Sequence, residues 1–280
     1  MQIVPLCDAL GAEVRDLDAT RPLEAEAVAA LREAFLTHHL LCLRAAPLTP
    51  ADFARLARHF GSPQLQLLRD QRDPEVPEVS ILKSTYETAA DKPDDLTQVR
   101  LSGWHTDDSY FARPAKATLL QGLAIPTAGG ETKFANTEAA YRDLPETRRR
   151  QLDGLKAVHG YNTRRAPAQA KQRSAVETGE TPDVVHPLIR THEESGAKAI
   201  YFNPNRTDRI EGMTREESDA LLDDLYAHIT APKYQYHHRW RVGDVVFWDN
   251  RCLIHAVNTD YPVGQERRHQ RVLLEGTTPA

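Results

Sequence analysis

The stretch Asp244-Val245-Val246-Phe247-Trp248-Asp249-Asn250-Arg251-Cys252-Leu253-Ile254-His255 begins as an apolar run of strand length. It turns through a polar segment and re-enters an apolar stretch that carries a histidine. Short runs rich in β-branched and aromatic residues, bounded by turn formers, read as strands. The same pattern recurs at residues 118–123, 199–202 and 271–275, with Gly129-Gly130, Pro204-Asn205 and Val242-Gly243 between the runs. Many short strands joined by long crossovers predict an α+β fold. Its core would be a β-sandwich or a jelly roll, the double-stranded β-helix of the cupin type, decorated by helices.

Upstream, residues 20–38 carry Val28, Leu31 and Phe35 at helical spacing, and Leu40–Leu43 has strand length. Thr49-Pro50-Ala51-Asp52 reads as a helix start, with Thr as N-cap and Pro at the first helical position. Phe53, Leu56, Ala57 and Phe60 supply the apolar face, and Gly61 is placed to end it. Thr214-Arg215-Glu216-Glu217 matches a capping box ahead of Leu221, Leu222, Leu225 and Ile229. Residues 64–98 hold an edge strand at 79–82 followed by a long loop. Residues 164–182 look similar, and both stretches read as lids or as surface insertions. No linker divides the chain, so residues 1–280 are expected to form a single domain.

The 280 residues are 40% hydrophobic and 27% charged, enough for a substantial core. Lys and Arg total 35 against 40 Asp and Glu, a net charge of −5. No basic excess favours nucleic acid or an anionic membrane surface. No apolar run approaches the roughly 20 residues that span a bilayer. The N-terminus lacks the basic and apolar regions of a signal peptide. Cys7, Cys42 and Cys252 form no CxxC pair, which argues against a thiolate metal site or a disulfide framework. The cytoplasm is the expected compartment.

Trp104-His105-Thr106-Asp107 offers two potential ligands on one face of an extended segment, because residues i and i+2 point the same way. With 12 histidines present, about one such pair is expected by chance. His192-Glu193-Glu194 lies in a polar turn and reads as a solvated loop. His255, between Ile254 and Ala256, reads alone as an ordinary core residue, as does Cys252. Taken with His105 and Asp107, however, His255 completes two imidazoles and a carboxylate. Non-haem Fe(II) oxygenases use that set and leave three coordination positions open. Zinc hydrolases use it too. The cluster Arg267-Arg268-His269-Gln270-Arg271 puts Arg267 and Arg271 on one face if the strand starts that early. A guanidinium fork there would grip a carboxylate; a plain basic surface turn is the other reading.

The sequence resembles the TauD/TfdA family of Fe(II)/2-oxoglutarate-dependent dioxygenases nearly end to end. GAEVRDLDATRPL with HLLCLR resembles the family N-terminus, and WHTDDSY its first metal motif. AIPTAGGETKFAN resembles its Gly-Gly loop, while HPLIRTH and AIYFNPN resemble its middle segment. WDNRCLIHAVNTDY and the arginine cluster resemble its second metal motif and cosubstrate site. The resemblance implies His105, Asp107 and His255 as catalytic iron ligands. It implies Arg267 on the distal carboxylate of 2-oxoglutarate with help from Thr132, and Trp248 packed near the metal. It places Arg271 where members bind the anionic group of the prime substrate, and Tyr110 is a candidate for the pocket wall. The loop before Arg267 is one residue longer than in the family pattern, so Arg268 is an alternative for the cosubstrate role. Asn203-Pro204-Asn205-Arg206-Thr207 carries Arg206 where the pattern has an aromatic ring, which implies a substrate more polar than taurine or doubly anionic.

The activity so implied consumes O2 and 2-oxoglutarate, releases succinate and carbon dioxide, and hydroxylates a small anionic organic acid. A homodimer or homotetramer is implied as well, with neither nucleic acid nor membrane as partner. A zinc hydrolase using the same triad and a non-catalytic jelly-roll binding protein are the competing readings.

Overall fold

The computed structural model describes residues 1–99, 102–166 and 171–280. The N-terminal part contains β1 (Gln2–Pro5), β2 (Ala12–Arg15), α1 (Ala25–His38), β3 (Leu40–Leu43), α2 (Pro50–Arg58), β4 (Pro63–Gln64) and β5 (Ser80–Lys83). The middle contains β6 (Ala117–Ala124), β7 (Thr132–Asn136), α3 (Thr137–Arg142), α4 (Glu146–Leu152), β8 (Lys156–His159), α5 (Ala175–Gly179), β9 (Val184–Pro187), β10 (Ile189–Thr191) and β11 (Lys198–Ile200). The C-terminal part contains β12 (Thr207–Ile210), α6 (Arg215–Ile229), β13 (Gln235–His238), β14 (Val245–Asp249), β15 (Leu253–Val257) and β16 (Arg268–Leu274).

An eight-stranded sheet runs β1-β2-β3-β14-β6-β16-β4, with β5 also paired to β16. Among the described residues only the β2–β3 pair is parallel, and α1 provides its crossover. Strand β14 sits between β3 and β6 and is buried along its whole length. That burial on both faces is why its sequence reads as an unbroken apolar run. Val245 and Phe247 point to a core shared with α1 and α2, where Phe247 stacks on Phe35 at 3.9 Å between ring centroids. Val246 and Trp248 point the other way, to Phe134 and Leu253 of a second sheet ordered β13-β7-β15. Each fully buried side chain of that size contributes roughly 1.5–3 kcal/mol. Behind the second sheet, Ile254 and Ala256 pack on Leu222, Leu225 and Ile229 of α6. A third sheet, β12-β8-β9, flanks these layers.

Helix caps follow the chemistry read from the chain. Thr49 accepts from the Asp52 amide, and the Thr214/Glu217 capping box is complete. The turn into β14 requires Gly243, whose φ is +91 and whose missing Cβ leaves room for the carbonyl of Ala45. Three expectations shift. Helix α1 starts at Ala25, five residues into the expected stretch, with Glu24 as an extended N-cap whose side chain makes no capping bond. Helix α2 ends at Arg58 on a cap at His59, ahead of Gly61. Residues 64–98 form β4, β5 and several short 3-10 turns, so they are less irregular than their composition suggested. Within the 164–182 stretch, residues 167–170 lie outside the described residues. No described helix is long and apolar enough to cross a membrane.

Candidate active site

His105 and His255 are brought together by backbone pairing. Each donates its amide to the other's carbonyl, at 2.8 and 2.7 Å, as an antiparallel bridge that attaches the 104–107 segment to β15. Their ring centroids lie 4.1 Å apart. One ligand atom from each of His105, Asp107 and His255 falls within 4.8 Å of the others. Nδ1 of His105 donates to the Gly103 carbonyl at 2.9 Å, which fixes the ring's orientation. Oδ2 of Asp107 accepts from the Thr118 hydroxyl at 2.6 Å. That hydroxyl accepts from Asn250, whose Oδ1 takes the Trp248 indole N–H at 2.9 Å. The Trp248 ring stands edge-on to His255 at 4.8 Å.

Burial lowers the His255 pKa to about 3, with the adjacent His105 pushing in the same direction. The imidazole is therefore neutral and able to ligate at neutral pH. Its Nδ1 is buried without a hydrogen-bond partner among the described residues, a costly state for an imidazole nitrogen. Burial pushes Asp107 up, but His255, Arg271 and His105 together outweigh it and hold the carboxyl below its usual value. Two imidazoles and a carboxylate facing one cavity fit a divalent ion of the Fe(II) class.

The triad opens on a cavity of about 250 Å³ that is also lined by Thr132, Trp248, Arg267, Arg271, Arg206 and Tyr110. Arg267 is 5% exposed, and no carboxylate lies within salt-bridge distance of it among the described residues. It donates to the Gly130 carbonyl and to the Ser84 hydroxyl at 3.3 Å. Burial lowers its pKa to about 10, the signature of a cation lacking an anion. Arg268 is exposed and pairs with Glu266 at 3.2 Å, away from the cavity. Strand β16 starts at Arg268 and carries a register shift between Arg268 and His269. Arg267 and Arg271 nonetheless both line the cavity.

A family model for "Taurine catabolism dioxygenase TauD, TfdA family" matches residues 2–273. The chain belongs to the TauD/TfdA family. It is 30% identical to an alpha-ketoglutarate-dependent sulfate ester dioxygenase of Pseudomonas putida, over all of this chain and 91% of the relative. It is 32% identical to an alpha-ketoglutarate-dependent 2,4-dichlorophenoxyacetate dioxygenase of a Burkholderia species, over 85% of this chain and 82% of the relative. A crystal structure of a taurine dioxygenase from Burkholderia xenovorans superposes with a TM-score of 0.85 at 31% identity, covering 100% of this chain and 90% of that one. The chain is accordingly a 2-oxoglutarate-dependent dioxygenase, and Fe(II) and 2-oxoglutarate are the cofactors of the family. Its several sheets with flanking helices match the TauD architecture.

Other residues of this TauD/TfdA chain take places that sequence patterns do not mark. Asp108 adopts φ +57, and its carboxylate accepts from Gln64 at 2.5 Å and from the Tyr110 hydroxyl at 2.9 Å. Burial and the neighbouring Asp107 raise its pKa to about 6. Asn203 donates to the Thr106 carbonyl at 2.6 Å and to the Ser109 hydroxyl at 2.9 Å, which ties the 203–207 turn to the metal-motif loop. Thr132 is buried and accepts from the Trp240 indole at 2.9 Å. Tyr161 lines the cavity beside Tyr110, whereas Phe111 packs on the Tyr110 ring. Arg165 is taken by Asp219 and Asp223. Cys252 is a buried core residue, as read from its neighbours. The solvated-loop reading of His192 is corrected. That side chain is 2% exposed and bonds to buried Asp249 at 3.0 Å, a partner 57 residues away that no local pattern reveals.

Proposed function

We propose that the chain hydroxylates a small anionic organic acid, in the class of sulfonates, sulfate esters and aryloxy or other carboxylates, with release of succinate and carbon dioxide. The observation that carries this reading is the buried, acid-free guanidinium of Arg267 in the same cavity as the His105/Asp107/His255 triad. The names of the relatives support the substrate classes, since they include a sulfate ester dioxygenase and a 2,4-dichlorophenoxyacetate dioxygenase.

In this reading His105, Asp107 and His255 would hold the iron. Arg267 and Thr132 would take the distal carboxylate of 2-oxoglutarate. When bound, the ferrous ion and keto acid supply the oxidising chemistry, and the protein positions the groups and excludes water. The Trp248–Asn250–Thr118 chain fixes the Asp107 carboxylate. Leu82, Leu120 and Val257 supply apolar wall. Arg271 would receive the substrate's acid group, a role supported by its Nη1 3.9 Å from Asp107 Oδ1 and its Nε buried without a partner among the described residues. The finer architecture is a jelly-roll core in a single domain over residues 1–280, in a cytoplasmic homodimer or homotetramer. The test is a screen of sulfonates, sulfate esters and aryloxy acids for substrate-stimulated succinate release with Fe(II) and ascorbate. Stimulation by at least one class is expected, and its absence across all of them would contradict the substrate assignment.

A further inference from the structure

Four cationic side chains line the cavity, Lys83, Arg206, Arg267 and Arg271, against two acids, Asp107 and Asp108. Lys83 pairs with Glu87 at 2.7 Å on the exposed side. Arg267 is assigned to 2-oxoglutarate, on which this inference rests. Arg206 and Arg271 remain; Arg271 lies 3.9 Å from Asp107, but that carboxylate is assigned to the iron, so a single anionic group on the substrate matches only one of the two arginines. Asp108 pairs directly with neither, because its oxygens are taken by Gln64 and Tyr110 and no guanidinium among the described residues lies within salt-bridge distance of it, although Arg271 acts on it at longer range.

Arg206 is held by two aromatic rings and by its backbone. It is 4% exposed, and its guanidinium lies over the Tyr161 ring at 4.5 Å and the Tyr110 ring at 5.3 Å. Neither a carboxylate nor a hydrogen-bond acceptor engages that guanidinium among the described residues. Its backbone is fixed as well. The Arg206 amide donates to the Asn203 carbonyl at 2.9 Å, and its own carbonyl accepts from Gly160 at 2.8 Å. The two rings stand at 83° to each other, and their cation–π attraction holds the cation without using its N–H donors, which stay available for a ligand. A buried cation is costly to keep without a counter-charge.

The geometry points to a second anion subsite at Arg206, so that the prime substrate is a small organic diacid. One acid group meets Arg271 beside Asp107. The other meets Arg206 on the wall formed by Tyr110 and Tyr161. The C–H to be oxidised lies on the skeleton between them.

The test compares each monoacid with a diacid of the same skeleton: phenoxyacetate with 4-carboxyphenoxyacetate, and propane-1-sulfonate with 3-sulfopropanoate. Binding is read by calorimetry and thermal shift on Mn(II)-loaded protein saturated with 2-oxoglutarate. Turnover is read by succinate release on the Fe(II) protein. At least one diacid is expected to bind about tenfold or more tightly than its monoacid. Arg206→Gln should bring that ratio to within about twofold, and Arg206→Lys should restore part of it. Equal affinities within both pairs, no binding by either diacid, or a ratio unchanged in Arg206→Gln would overturn the subsite. The comparison in the unsubstituted protein needs no variant to fold. A diacid preference in Mn(II) binding without succinate release would keep the subsite and reject the hydroxylation reading.

Discussion

Arg267 is buried against neutral oxygens, while its neighbour Arg268 is exposed and already paired with Glu266. A charge-assisted bond to a carboxylate is worth about 1.5–3 kcal/mol, and each 1.4 kcal/mol is tenfold in affinity. Arg267→Ala should therefore raise the 2-oxoglutarate concentration for half-maximal succinate release by about tenfold or more. Arg268→Ala should change it by less than about twofold, as for an exposed ion pair. The reverse ranking would shift the anchor by one residue. The two arginines could not be told apart in the sequence, because the register shift in β16 is set by its pairing with β6. His105 and Asp107 were legible because a two-residue spacing puts both side chains on one face. Thr118 and Asn250 were not, since a threonine on a strand and an asparagine in a turn form a chain to Asp107 only through their mutual bond, which joins positions 132 residues apart.

The 203–207 turn and the metal-motif loop form one unit through Asn203. Asn203→Ala would strip a buried carbonyl and a buried hydroxyl of their donor, at about 1–3 kcal/mol each. Lower thermal stability together with weaker Mn(II) binding is expected; unchanged metal affinity would show that the turn does not position Asp107. At the head of β14, Gly243→Ala would combine a left-handed backbone with a collision at the Ala45 carbonyl. A loss of at least about 2 kcal/mol in chemical denaturation is expected. Wild-type stability in that variant would mean the turn is not tightly packed. Helices α2 and α6 were readable because their caps and apolar spacing agree. Strands β1, β2 and β12 were not, because four residues are too few to establish an alternation.

Across the whole molecule, buried histidines set the response to acid. Burial holds His159 and His269 well below 6.5, with His186 and Arg267 respectively adding to the effect. The unfolded chain would bind protons at both positions below pH 6.5 while the fold would not, so stability present above that pH is lost as pH falls. Burial pushes Asp244 up, but its bonds to His238 and Arg44 outweigh it and leave it below 3.8. A depressed carboxylate gives stability that is lost only below its unfolded value. The buried histidines outnumber Asp108, whose carboxyl, raised to about 6, takes up its proton in the fold and offsets part of the loss, so the melting temperature of the metal-free protein should begin to fall between pH 6.5 and roughly 5, before the depressed carboxylates protonate. A constant value down to pH 4 would contradict that order. The layered architecture was legible as a class from the apolar runs, but the order of the eight strands was not, because it depends on pairings between distant segments. The account rests on one ferrous ion held by His105, Asp107 and His255. Anaerobic calorimetric titration with Fe(II) tests it most directly: one ion per chain in the unmodified protein and loss of that site in His255→Ala are expected, whereas the same stoichiometry and affinity in both would contradict it.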